Sequence, residues 1–275
     1  VQILLLMSLR NWKRFCYLKK PESKKRYAMP FEKELEELSK RKARAVEMGG
    51  REKIAKQHAK GRLSARERIE RLIDPDSFLE VGMLNHSDVS GMEDRTPADS
   101  KIGGYGAIDG RRVVLLANDF TVLAATSSRV AGRKEGELKV MAARYGLPMI
   151  YLGEAGGATM PDIMGSNGLA SFGGSGIDTY LQIMSRVRQS PMISAIMGEC
   201  YGMPTWMACL SDFVVQVKGS AMGVSGPRIL ELALSETVTD EELGGWQIHG
   251  EITGMADRIA EDETDCFKII RQFLS

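Results

Sequence analysis

Two glycine-containing segments of the chain share a pattern that could bind an anion through backbone amides. Residues 153–158 read Gly-Glu-Ala-Gly-Gly-Ala, and residues 198–203 read Gly-Glu-Cys-Tyr-Gly-Met, with their first glycines 45 positions apart. Each segment follows a short apolar run, residues 148–152 and 191–197, which predicts a buried strand that ends in a turn before a helix. Glycine at such a turn permits positive φ and lets a ligand come close to the main chain.

The chemistry available at these turns is the stabilisation of a negative oxygen. Free N–H groups at a turn beside a helix N-terminus can hold an anion. Two such turns on adjacent strands could direct their amides at one oxygen, which would be an oxyanion hole built from backbone. The alternative is a pair of ordinary turns in an α/β sheet. The candidate oxyanion donors are the amides of Gly156, Gly157, Ala158, Gly202 and Met203.

Side chains that could perform acid–base or nucleophilic chemistry are few. Glu154 and Glu199 occupy equivalent positions in the two segments, either as an acid–base pair or as glutamates that accept local backbone N–H groups. Cys200 could be a nucleophile, but a buried structural thiol is the alternative. His249 is interpreted as the site of a structural hydrogen bond, whereas the two other histidines, His58 and His86, are expected at the surface.

Composition narrows the classes of function. The chain has 275 residues, 43% of them apolar and 27% charged, which is typical of a globular protein. After the first 30 residues the net charge is −6, which argues against nucleic acid as the main partner. No apolar run is long enough to cross a membrane. The four cysteines contain no Cys-x-x-Cys pair, so we expect neither a zinc ribbon nor another metal site.

Residues 1–28 differ from the rest of the chain. Residues 1–30 carry eight Lys or Arg and one acidic residue, Glu22. We interpret 1–28 as sequence that does not belong to the native protein, with an organelle-targeting presequence as the alternative. The expected location is therefore the cytoplasm, or the mitochondrial matrix if the presequence is genuine. The predicted organisation continues with charged N-terminal helices and a loop over 29–100 and a main domain over 101–275.

Hydrophobic periodicity predicts the elements that position the glycine segments. A charged surface helix is expected over 31–60 and a second helix over 63–72, with Ser64 as N-cap and Glu67 completing a capping box. Strands and helices then alternate, which favours a parallel sheet and would suit a spiral as well as an open sheet. The predicted strands are 78–83, 103–108, 112–117, 148–152, 191–197 and 213–217, and the predicted helices are 130–145, 177–189, 204–210, 227–234 and 261–274.

Several sequence blocks resemble, in order, the carboxyltransferase (β) subunits of biotin-dependent acyl-CoA carboxylases. The resemblance runs from about Arg62 to the end of the chain. Two positions depart from the family pattern: Met203 stands where a second glycine is usual, and Thr159 stands where an arginine is common. The matching blocks are residues 61–69, the Asp-Phe-Thr-Val segment at 119–122, Gly156-Gly157-Ala158, Gly198 with Gly202, residues 211–213, Gly226-Pro227, residues 242–245, His249 and residues 254–257.

The resemblance implies an α/β crotonase-like spiral of ββα units that surrounds an acyl-CoA thioester. It also implies a second, similar half that carries the biotin contacts and is expected outside this sequence, so the chain alone is expected to be inactive. In the family the active site forms between the first half of one subunit and the second half of its partner. The implied partners are the acyl-CoA, a biotin carboxylase, a biotin carboxyl carrier and further copies of the chain in a dimer-based or hexameric assembly, with no nucleic acid and no membrane.

The resemblance also implies the reaction. The carboxyl group passes from carboxybiotin to the α-carbon of a short acyl-CoA through an enolate, and the biotin ureido nitrogen acts as base. Phe120 and the basic residues Arg129, Arg133 and Lys134 are the predicted substrate-binding residues, the basic ones for the phosphates of coenzyme A, although a solvated helix face is the alternative. Two other functions remain open: a biotin-independent hydratase, isomerase or decarboxylase, and a non-catalytic acyl-CoA-binding subunit.

Overall fold

The computed structural model describes residues 31–160 and 189–275. The chain divides into two units, residues 1–39 and residues 40–275, and the second contains the sheet. The described helices are α1 (Glu32–Val46), α2 (Arg51–Ala59), α3 (Ala65–Leu72), α4 (Arg129–Tyr145), α5 (Met203–Cys209), α6 (Pro227–Leu234), α7 (Asp240–Gly244) and α8 (Glu263–Leu274).

Eight described strands form one mixed sheet. They are β1 (Leu79–Val81), β2 (Lys101–Ile108), β3 (Arg111–Asn118), β4 (Met149–Ala155), β5 (Met192–Tyr201), β6 (Phe213–Val217), β7 (Ala221–Gly223) and β8 (Arg258–Ala260). The strand order is β1-β2-β3-β4-β5-β6-β8, and β7 pairs with β5. The first three strands are antiparallel and all later pairings are parallel, as expected for strands joined by helices.

Both faces of the central strands are buried, which explains why these strands read as continuous apolar runs. On β3, Val113 and Leu115 join the larger core cluster, which also contains residues of α3 and α8. Val114 and Leu116 face the opposite side and pack with Leu138 of α4. Because β4 and β5 are parallel, the turns at their carboxyl ends lie at one edge of the sheet.

Strand β5 changes partner near its end. Its first part pairs with β6 through residue Ile196, and its last three residues pair with β7. The register with β4 shifts over the same stretch, because Gly153 lies opposite Ile196 and Ala155 lies opposite Cys200. The β5 strand thus holds two residues more than β4 in this interval, which is a bulge.

The structure corrects the prediction of one helix over residues 31–60. Two helices, α1 and α2, are separated by a break in which Met48 and Gly50 have positive φ. Gly49 lies against another segment there: its N–H donates to Thr121 Oγ1 at 2.9 Å, and a Cβ on it would lie 2.0 Å from the Thr121 carbonyl oxygen. The predicted helix at 177–189 lies outside the described residues except for its last position.

Candidate active site

The two glycine turns lie side by side at the ends of β4 and β5. Gly157 has φ 117° and Gly202 has φ 80°, so both use a backbone conformation that glycine favours. A Cβ on Gly202 would lie 4.0 Å from the Gly157 Cα, whereas a Cβ on Gly157 would have no described heavy atom within 4 Å. The two turns therefore lie close together, and the position of a Cβ on Gly157 is open among the described residues.

Hydrogen bonding distinguishes among the five candidate amides. The Gly156 N–H donates to the Ala124 carbonyl at 2.8 Å, and the Gly202 N–H donates to the Gly223 carbonyl at 3.1 Å. Within residues 31–160 and 189–275, the amides of Gly157, Ala158 and Met203 have no backbone partner. Met203 is the first residue of α5, where an N–H has no acceptor within the helix. Three backbone N–H groups, two from the first turn and one from the second, could therefore donate to a ligand.

The first turn is held from one side by the segment that leads into α4. The Ser127 N–H donates to the Gly157 carbonyl at 2.9 Å, and the Thr159 N–H donates to the Ser127 carbonyl at 2.8 Å. Thr159, which replaces the arginine common in the family, is buried, and its hydroxyl is 2.7 Å from that of Thr126. These bonds also bring the start of α4, at Arg129, close to the first turn.

The predicted substrate-binding residues have different surroundings. Arg133 is exposed, and Arg129 pairs with Asp88, with 2.9 Å between Nη2 and Oδ1. Lys134 is buried instead, and its ammonium donates to the Gly82 carbonyl at 3.2 Å and to that of Lys101. Burial lowers the pKa of Lys134 to about 8. In this arrangement Lys134 offers no ammonium to a solvent-borne phosphate.

Phe120 is partly buried, and the Lys60 ammonium lies 5.8 Å from the centroid of its ring. This separation permits a cation–π contact. The Asp119 carboxyl that precedes the ring is buried, and burial raises its pKa to about 6, although the hydroxyl and N–H of Thr121 donate to it.

Arginines are the main partners of Glu154 and Glu199, and Glu199 also accepts from its own backbone N–H. Both belong to strands, and Arg62 donates to both carboxylates, at 3.1 Å to Glu154 and at a shorter distance to Glu199. Glu154, which is fully buried, also accepts from Arg68 at 2.7 Å and from Gln57 at 3.0 Å. Although burial raises the pKa of Glu199, the hydrogen bond and charge of Arg62 bring it below the ordinary value.

A third carboxylate, that of Glu263, completes this ion network. Glu263, at the start of α8, accepts from Arg68 Nε at 2.9 Å and from Nη2 at 2.7 Å. Burial alone would lower the pKa of Arg68, but its hydrogen bonds and the charges of Glu263 and Glu154 raise it above the ordinary value. Sequence reasoning missed the network, although Arg62 and Arg68 both lie within the family-like block at 61–69.

The two other candidate side chains, Cys200 and His249, have surroundings that favour a structural role over a catalytic one. The Cys200 thiol is fully buried, and burial raises its pKa, which favours the structural alternative over a nucleophile. His249 Nε2 lies 3.0 Å from the Met222 carbonyl oxygen, in agreement with the predicted structural hydrogen bond. In the described ranges, no three His, Cys, Asp or Glu side chains cluster in a way that could hold a metal. No helix of those ranges is long and apolar enough to cross a membrane.

Comparisons with known proteins agree on one family. Residues 56–275 match the carboxyl transferase domain. The propionyl-CoA carboxylase beta chain of Saccharopolyspora erythraea is 35% identical over 249 residues, covering 88% of this chain and 44% of that protein. The methylmalonyl-CoA decarboxylase subunit alpha of Veillonella parvula is 33% identical over 247 residues, covering 88% of this chain and 47% of that protein.

Solved structures show the same relationship. The transcarboxylase 12S structure with hydrolyzed methylmalonyl-coenzyme A, described as a hexamer assembly, has a TM-score of 0.79 at 30% identity and covers 90% of this chain and 49% of that one. This likeness confirms the predicted crotonase-like α/β fold. The chain spans about half the length of the curated relatives it matches. It belongs to the carboxyl transferase domain family.

Proposed function

We propose that this chain is the acyl-CoA-binding half of a biotin-dependent acyl-CoA carboxyltransferase. The observation that carries the proposal is the approach of Gly157 to Gly202, which brings turns with free amides from two strand ends next to each other. The domain formed by residues 101–275 holds the thioester, and the free amides of Gly157, Ala158 and Met203 bind the enolate oxygen.

The proposed reaction gives these residues one task. Removal of an α-proton from an acyl-CoA leaves an enolate, whose α-carbon then forms a carbon–carbon bond with carbon dioxide. Fixed N–H donors stabilise the enolate oxygen without a change in their own protonation. Biotin, when carried to the site as carboxybiotin, supplies the carbon dioxide and the base. The described residues that line the turns offer no other base, because Glu154 and Glu199 are bound to arginines.

The partners follow from the same chemistry. We propose a separate biotin carboxylase and biotin carboxyl carrier, contacts with biotin from a second half of the enzyme, and a homo-oligomer in the cytoplasm. Arg129, near the first turn, and exposed Arg133 are the proposed contacts for the phosphates of coenzyme A. On its own the chain should bind an acyl-CoA without carboxylating it.

A decarboxylase subunit is the second candidate. Its support is the similarity to the methylmalonyl-CoA decarboxylase subunit alpha. That protein is 33% identical to this chain, and the propionyl-CoA carboxylase beta chain is 35% identical. Loss of carbon dioxide from a carboxyacyl-CoA yields the same enolate that carboxylation consumes. The amides of the two turns would therefore serve either direction, and the direction would be set by the partner subunits.

The test removes one donor while leaving the turn in place. Met203→Pro deletes the N–H at the first position of α5, where proline is well tolerated. Met203→Ala is the matched control, because it removes the same side chain and keeps the N–H. Binding of propionyl-CoA and of its analogue with a nitronate in place of the enolate is measured by calorimetry on the full chain.

The wild type and Met203→Ala should bind the nitronate more tightly than propionyl-CoA. Met203→Pro should lose about 10- to 100-fold of that preference, since a hydrogen bond to a charged group contributes about 1.5–3 kcal/mol. An equal preference in the proline and alanine variants would contradict the assigned donor. A wild type that does not prefer the nitronate would contradict the proposed function.

A further inference from the structure

We infer that Arg62 is a positioning residue that fixes the separation of the two glycine turns, an inference that rests on the proposed function. Arg62 lies between α2 and α3, outside the sheet. Its Nη1 atom donates to Glu154 Oε1 at 3.1 Å and to Glu199 Oε2 at a shorter distance. One guanidinium group therefore connects the strand end before Gly156 with the strand end before Gly202.

The connection spans an interruption in the pairing of β4 with β5. Between Gly153 and Ala155 the β4–β5 register shifts, so the regular ladder of backbone hydrogen bonds is interrupted there. Glu154 lies inside this interval on β4, and Glu199 lies on the bulged part of β5. Arg62 supplies a side-chain link across the interval where the backbone ladder does not.

The partners of the two carboxylates are unequal. Glu154 is fully buried and keeps Arg68 and Gln57 if Arg62 is lost. Glu199 is 27% exposed, and its other ion-pair partner among the described residues is Lys60, at 3.3 Å. Loss of Arg62 should therefore release the β5 end, which carries the Met203 amide, more than the β4 end. Repulsion between the two carboxylates would add to the displacement.

The chain offers a matched control in Arg66. Arg66 is 18% exposed against 14% for Arg62, and it pairs with Glu80 through two contacts, at 2.9 and 3.2 Å. It makes no hydrogen bond to Glu154 or Glu199 within the described ranges. Arg66→Gln thus removes an ion pair of similar burial that does not join the turns.

The experiment compares Arg62→Gln, Arg62→Lys and Arg66→Gln in the full chain. For each variant, calorimetry gives the affinity for propionyl-CoA and for the nitronate analogue, and thermal unfolding gives the stability. Arg62→Gln should lower the preference for the nitronate roughly tenfold or more, because misplaced donors lose their alignment, and should leave the affinity for propionyl-CoA nearly unchanged. Arg62→Lys should restore most of the preference, since an ammonium can contact both carboxylates.

The possible outcomes distinguish failure of the proposed function from failure of the positioning role of Arg62. A wild type without any preference for the nitronate contradicts the proposed function, and no variant is then needed. A wild-type preference that survives in Arg62→Gln, or that falls equally in Arg66→Gln, contradicts the positioning role alone. If Arg62→Gln fails to fold, Glu199→Gln provides the same test from the exposed end of the link, and an unchanged preference in that variant contradicts the role.

Discussion

At the scale of single residues, the candidate site depends on which backbone amides are free. Sequence alone suggested five donors, and hydrogen bonding leaves Gly157, Ala158 and Met203. The difference arises because Gly156 and Gly202 donate to carbonyls of residues distant in sequence, Ala124 and Gly223. A local sequence pattern does not reveal hydrogen-bond partners that lie so far apart in the chain.

Asp119 provides a prediction about pH. Burial raises its pKa from 3.8 to about 6, so the folded state binds this proton more tightly than the unfolded state. Its contribution to stability is therefore most favourable below pH 3.8, falls as the pH rises toward about 6, and is constant above that. Asp119→Asn keeps an acceptor for Thr121 and removes the titration.

The free energy of unfolding of Asp119→Asn, relative to wild type, should increase by about 2 kcal/mol between pH 4 and pH 7, because this range covers most of the interval between the two pKa values, 3.8 and about 6. Urea unfolding at four pH values in this range measures it. A pH-independent difference for Asp119→Asn would show that the carboxyl is not destabilised by burial.

At the scale of elements, the bulge of β5 contains Gly198, which packs against the buried carboxylate of Glu154 in the ion network. A Cβ on Gly198 would lie 2.5 Å from Glu154 Oε1. Glu154 cannot move aside easily, because Arg68 and Gln57 fix its carboxylate. Glycine at this position thus makes room for the buried glutamate.

Gly198→Ala should accordingly destabilise the chain by about 1–3 kcal/mol through overpacking. Gly132→Ala, in α4 with no described atom within 4 Å of the new Cβ, should instead be neutral or stabilise by about 0.5–1 kcal/mol. Chemical unfolding of both variants gives the comparison. Equal effects of the two substitutions would mean that Glu154 does not restrict residue 198.

The sequence predicted the elements with strong periodicity and missed those set by distant contacts. The β6 strand and the α6 helix have the predicted bounds, because continuous apolar and amphipathic patterns are local signals. The short strands β7 and β8 were not predicted, since neither contains an apolar run of the length that a strand prediction needs. The break before α2 was also missed, although the Gly49-Gly50 pair is a local signal for a break; Gly49 in addition contacts Thr121, 72 residues away.

At the scale of the whole molecule, the carboxyl ends of two parallel strands bring together turns that are far apart in the chain. The helical segment around Arg62 and Arg68 then closes one side of these strand ends through Glu154, Glu199 and Glu263. The ion network thus lies beneath the turns, and the free amides lie at their ends. The block at 61–69 thus supplies both arginines, Arg62 and Arg68, that bind the glutamates before the glycine turns.

The central claim is that amides from both turns bind one enolate oxygen. The most direct measurement is nuclear magnetic resonance of the full chain with ¹⁵N-labelled glycine, alanine and methionine, titrated with the nitronate analogue. The account predicts that the amide protons of Gly157, Ala158 and Met203 move downfield together, while those of Gly156 and Gly202, already bonded to carbonyls, move much less. Saturating binding that leaves the Gly157 and Met203 amides unmoved would contradict it.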